Sequence, residues 1–155
     1  IPTSVAGALR VYFLALGIIY PLLTTRLYVS QGITRKQFFW AYVDAIAKLS
    51  LILVIPIVAL EAYFSGFSLL SAITHYLFLP LFFLIGWTAV VGFQMRKWST
   101  ATLGIAASLA VLSVIGFITE TLAVSELSVL GSLSILLAAL LMILPPIISH
   151  VPLKP

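Results

Sequence analysis

The chain has 155 residues, of which 63% are hydrophobic and 8% charged; soluble domains carry roughly 25% charged residues, so a water-soluble globular fold is excluded and an all-α polytopic transmembrane helix bundle is expected. The absence of cysteine excludes disulfides, thiolate catalysis and cysteine-ligated metals. The formal charge of +4 is spread in small groups at the ends of apolar runs, without a basic face, which excludes nucleic acid as a partner.

A helix of about 20 mostly apolar residues crosses a hydrocarbon core of about 30 Å. Five segments meet that length: residues 5–23, 38–64, 70–95, 101–122 and 127–149. The first has Pro2 ahead of it, Pro21 near its end and Arg10 near its middle. The opening residues, IPTSVAGALR, lack the basic flank and cleavage site of a secretory signal. The chain reads as a fragment whose N-terminus has been lost.

A polar elbow follows at residues 24–37. The stretch TTRLYVSQGITRKQFF is the longest break in the oily chain and holds three of the eight basic residues, Arg26, Arg35 and Lys36. Gly32 punctuates it. Thr34 and Gln37 have the spacing of a capping box, and Ile33 and Phe38 occupy the two positions of a hydrophobic staple. A helix start is therefore specified at Thr34, next to a cluster, Phe38, Phe39 and Trp40, expected to face lipid.

The second span carries Asp44 and Lys48, four residues apart on one helix face and able to pair. Charges inside hydrocarbon are expensive, so each is a functional candidate. Two readings stand for Arg10, Asp44 and Lys48. Asp44 and Lys48 form a structural ion pair facing the bundle interior, or the three residues line a polar route or sense a substrate head group. Pro56, Pro80 and Pro145–Pro146 interrupt the second, third and fifth spans. They are hinges or ordinary membrane-helix prolines. In the fourth span Gly104 and Ser108 place small residues on one face for close packing, with the partner helix left open. His75 and His150 stand near opposite ends of the bundle, so no metal site is expected. Glu61, Glu120 and Glu126 read as solvated residues at helix ends.

The links alternate in charge. The elbow has three bases, residues 65–68 have none, Arg96 and Lys97 follow the third span, Glu120 and Glu126 flank the next link, and Lys154 lies in the tail. Positive loops face the cytoplasm. One orientation satisfies every link, with Ile1 outside and the elbow and C-terminus inside. One further span upstream would place the true N-terminus in the cytoplasm and make six spans. No phosphate-binding loop, HExxH motif or convergent Ser/His/Asp set is present, so neither ATP hydrolysis nor other catalysis is expected of this chain, and no cofactor.

The run GITRKQFFWAYVDAIAKLSLIL resembles the membrane subunits of ABC-2 type ABC transporters, whose G-[IV]-[TS]-R-[KR]-x-F-F pattern is met by Gly32, Ile33, Thr34, Arg35, Lys36, Phe38 and Phe39. The resemblance covers residues 20–53, and the rest by span order. It implies six spans with both ends cytoplasmic in the cell membrane, a separate ATP-binding cassette ATPase subunit as partner, and a second permease copy or paralogue. It also implies that the elbow contains a coupling helix docking on that ATPase. The residues carried over are Arg26, Leu27, Tyr28, Ser30, Gln31, Gly32, Ile33, Thr34, Arg35 and Lys36. The short link at residues 123–126 departs from members that have re-entrant helices there. Topology anchoring alone also accounts for the bases, and a small membrane scaffold or sensor subunit without a transport path also accounts for the elbow.

Overall fold

The computed structural model describes residues 2–66, 68–94, 98–121 and 125–150. All of the secondary structure among them is helical: α1 (Pro2–Ser30), α2 (Arg35–Ser65), α3 (Leu69–Gln94), α4 (Trp98–Thr121) and α5 (Glu126–Ser149). Four stretches are long and apolar enough to cross a membrane: Val5–Thr24, Arg35–Phe64, Leu69–Val91 and Leu127–Ser149. In α4 the apolar stretch among the described residues is shorter, Thr102–Ile115.

The helix ends differ from expectation in one informative place. α1 does not stop before Thr24 but runs through Pro21 to Ser30. Thr24 and Ser30 bond back to the helix itself. Thr24 Oγ1 donates to Tyr20 O at 2.6 Å and Ser30 Oγ to Leu27 O at 2.6 Å. Polar composition marks where a span leaves hydrocarbon, whereas a helix ends only where its backbone bonds do. The break between α1 and α2 is therefore Gln31–Thr34 alone.

α3 is the centre of the bundle. Phe78, Leu79, Leu81, Phe83, Leu84, Ile85, Trp87 and Val90 are all buried, so apolar side chains are covered right round the helix. α1 reaches it through two glycines. A Cβ on Gly17 would stand 2.0 Å from the Phe83 carbonyl oxygen, and one on Gly86 would stand 2.4 Å from that of Leu14. Only hydrogen fits at either position, and the two backbones meet there. α4 also packs on α3: Ser108 Oγ lies 2.9 Å from Gly104 O and 3.1 Å from Ile85 O of α3. The small-residue face of α4 thus has a partner within this chain. Leu133, Leu140, Leu144 and Ile148 of α5 join the same core.

Candidate functional site

The elbow is fixed by two local devices. Gly32 has φ +82°, a left-handed conformation that glycine adopts without a Cβ clash. Thr34 then caps α2. Its Oγ1 accepts from the Gln37 amide at 3.2 Å, and its own amide donates to Gln37 Oε1 at 3.1 Å. The capping box is complete. Phe38 N donates to Thr34 O at 2.9 Å, closing the first turn.

Directly behind this start, Phe38 and Phe39 turn inward. Their exposures are 2% and 0%, so the expected lipid-facing cluster is not formed by them; only Trp40 is exposed. The physical reason is Trp87 of α3. Its ring centre stands 5.8 Å from that of Phe38, 5.1 Å from Phe39, 5.6 Å from Phe83 and 6.1 Å from Tyr42. Edge-to-face and tilted arrangements at these separations are favourable. Ile33 packs against the same core, on the side where a staple residue belongs.

The remaining elbow residues are presented outward. Leu27, Ser30, Gln31, Gly32, Thr34 and Lys36 are exposed and Arg35 is half-buried. Arg26 and Tyr28 lie on the α1 backbone, and their side chains are outside the described residues, as are Arg96, Lys97 and Lys154. A groove of about 460 Å³ runs from the elbow along α1 and α2, lined by residues such as Tyr12, Tyr20, Ile33, Phe38, Tyr42 and Ala45. The Tyr42 hydroxyl donates to Thr24 Oγ1 at 3.4 Å, tying the two helices near the elbow.

The intramembrane charges separate into two places. Asp44 and Lys48 do pair, Nζ to Oδ2 at 2.6 Å, but the pair faces away from the bundle, with side-chain exposures of 64% and 73%. The interior-facing reading is corrected: the α2 face packed on α3 is already filled by Val43, Ile46 and buried Ser50, which donates to Ile46 O. Arg10 lies against α3, with its guanidinium 4.0 Å from the Phe78 ring centre. That is a cation–π contact. The structure therefore does not gather Arg10, Asp44 and Lys48 into one lining.

It gathers a different set instead. Glu61 of α2 accepts from Ser71 Oγ at 2.8 and 2.9 Å and lies 3.5 Å from His75 Nε2. Glu61 is thus no solvated end residue but ties α2 to α3, with side-chain exposures of 27% for Glu61 and 19% for His75. Ser71, His75 and Phe78 recur at four and three residues along one face of α3, a spacing visible in the sequence. Their partners Glu61 and Arg10 come from other spans, which spacing alone does not reveal. His150, at the other end of the bundle, contacts Pro146 O at 2.7 Å. The side chains of Glu120 and Glu126 lie outside the described residues.

Comparison with protein-family models, with curated proteins and with solved structures finds no match to this chain.

Proposed function

We propose that the chain is the membrane-spanning permease subunit of an ATP-binding cassette transporter, driven at the elbow by a separate ATPase subunit. The observation that carries this reading is mechanical. An exposed turn, pinned by Gly32 and the Thr34 capping box, leads within one helical turn to Phe38 and Phe39, which are buried on Trp87 of the central helix. A push on Gln31–Thr34 has no slack segment in which to dissipate before it reaches α3. The G-I-T-R-K-x-F-F run at the same place supports the same partner.

In this reading all five helices span the cell membrane, the elbow and C-terminus are cytoplasmic, and ATP hydrolysis belongs to the partner. Arg35 and Lys36 offer positive charge to an acidic groove on the ATPase, as does Arg26 by its position in the sequence. Two nucleotide-binding subunits closing on ATP move the elbows of two permease copies, and α2 relays that movement to α3.

The test is a Gly32→Asp/Ile33→Asp variant of the full-length protein in its own membranes. The expected result is normal membrane insertion with loss of the co-purifying, vanadate-sensitive ATPase activity. Insertion with that activity unchanged would remove the docking role and leave a scaffold or sensor subunit.

A further inference from the structure

The groove between α1 and α2 opens outward: Tyr12 and Tyr20 on one wall and Ala41 and Ala45 on the other are exposed. Its volume of about 460 Å³ lies within the range of small-molecule sites, about 300–1,000 Å³. On α1 it follows Tyr12, Leu16 and Tyr20 for about 12 Å, and on α2 it extends from Phe38 to Leu49, about 16 Å. One leaflet is about half of a 30 Å core, so the groove matches a single leaflet in depth. Its lining is apolar apart from the tyrosine hydroxyls. Lipid tails fill such a groove as readily as apolar side chains do. What selects one lipid over another stands at the end where its headgroup lies.

That end is the elbow. The stretch Arg35–Phe64 measures about 45 Å at 1.5 Å per residue, against a core of about 30 Å, so its charged first turn reaches headgroup level. Arg35, Phe38, Tyr42, Ala45 and Leu49 recur at steps of three, four, three and four, which puts Arg35 on the helix face that lines the groove. Arg35 is half-buried, and no carboxylate pairs with it among the described residues. Lys36 is exposed and stands about 100° round the helix, turned from the groove. The sequence has no Asp or Glu before Asp44. Asp44 lies about 14 Å deeper than Arg35 and is already paired with Lys48 at 2.6 Å. The ammonium of a zwitterionic headgroup therefore meets bases and no acid at this end.

We propose that this groove binds one anionic phospholipid of the elbow's leaflet, with its phosphate on Arg35 and one acyl chain along Tyr20, Ala45 and Leu49. The occupant follows from charge complementarity. A guanidinium meets a phosphate through two parallel N–H···O bonds, and no carboxylate of the described residues competes for them. Basic pockets between spans hold anionic headgroups in this way. The chain fills the side of the bundle that α1 and α2 leave open, and the headgroup lies beside the capped start of α2. The inference goes beyond the proposed function and does not rest on it. A lipid in this groove stands whether or not an ATPase meets the outward face of the elbow.

The test uses the full-length protein in phosphatidylcholine vesicles. They carry a trace of phosphatidylglycerol, or of phosphatidylcholine, with a photoreactive diazirine in the acyl chain. Mass spectrometry of the labelled peptides reads the groove at residues 41–49, with exposed Met142 and Ile143 of α5 as the control. The phosphatidylglycerol probe is expected to label the groove about fivefold more than the phosphatidylcholine probe, the effect of one basic residue meeting an anionic lipid. The α5 control takes both alike. Arg35→Gln removes the preference, whereas Lys36→Gln leaves it nearly unchanged. Equal labelling of the groove by the two probes overturns the proposal, since the groove then holds any lipid of the bilayer. So does an equal loss in Lys36→Gln, which makes the preference a general attraction to a basic surface. A groove that neither probe labels, while α5 takes both, is covered by protein, and that too overturns it. Where Arg35→Gln fails to insert, the comparison of the two probes in the unchanged chain decides the matter.

Discussion

α2 and α3 are both long apolar helices, of 31 and 26 residues, joined by a short link and packed on each other, yet they present opposite surfaces. From Phe78 to Val91 α3 is covered on every side, and its tightest contact is backbone on backbone at Gly17 and Gly86. α2 is covered on one side only; the other bears an ion pair and a row of exposed apolar residues. α2 carries Arg35, Lys36, Asp44, Lys48 and Glu61, whereas α3 has no Asp, Glu, Lys or Arg. What distinguishes them is where small and charged residues stand. In a membrane, apolar surface can face lipid or protein, whereas close backbone contact and charge each require protein. α3 is the scaffold of the bundle, and the outer face of α2 carries charge that lipid tails do not solvate.

The largest expected effect breaks the α3 side of that contrast. Gly86→Leu drives a side chain into the Leu14 carbonyl and the Gly17 backbone. Backbone cannot swing aside as a side chain can, so destabilisation of about 3 kcal/mol, the upper end of ordinary overpacking, is expected. Thermal unfolding in detergent reads it. The control is Gly131→Leu, which meets open space and shifts stability by no more than about 0.5 kcal/mol. Equal melting of the two variants would remove the close α1–α3 contact from the account.

The second prediction removes what sets α2 apart. In Asp44→Leu/Lys48→Leu both charges are gone, and insertion of α2 becomes more favourable. A lone charge at mid-span costs about 3 kcal/mol; with the mutual attraction of the pair lost as well, the net gain is about 2 kcal/mol. Glycosylation mapping of the isolated span measures it. Unchanged insertion would mean that the pair does not sit in hydrocarbon.

Smaller effects act at the elbow, where α2 is fastened to α3. Gly32→Val forces a branched residue to φ +82°, at a cost of about 1–2 kcal/mol. Thr34→Ala deletes the cap at a cost of about 1 kcal/mol. Hydrogen exchange at the Gln37 amide, which Thr34 Oγ1 protects at 3.2 Å, is expected to quicken several-fold in the latter. An unchanged rate would show that the first turn of α2 is held by Phe38 and Phe39 on Trp87 alone.

Local chemistry was legible in the sequence and distant pairing was not. The Thr34–Gln37 capping box needs only residues three apart, and it forms as its spacing predicts. The Asp44–Lys48 pair was readable for the same reason, but its direction was not, because one helix viewed alone has no inside. The inward turn of Phe38 and Phe39 is set by Trp87, about fifty residues away. Gly17 and Gly86 carry no signal separately; each is a lone glycine until the two spans cross. Glu61 meets Ser71 and His75 across a link, so it reads in sequence as a helix-end acid. The extra turns of α1 past Pro21 were hidden by polar composition, which reports the membrane boundary and not the helix boundary.

The side of the membrane on which the elbow lies decides whether a cytoplasmic ATPase can reach it. In intact cells, Gln31→Cys, exposed beside Gly32 in a stretch of 155 residues without another cysteine, is the residue to probe with a membrane-impermeant maleimide, against the unsubstituted protein as control. The account predicts labelling only after the membrane is permeabilised. Full labelling of intact cells would put the elbow on the outer face, out of reach of any ATPase in the cytoplasm.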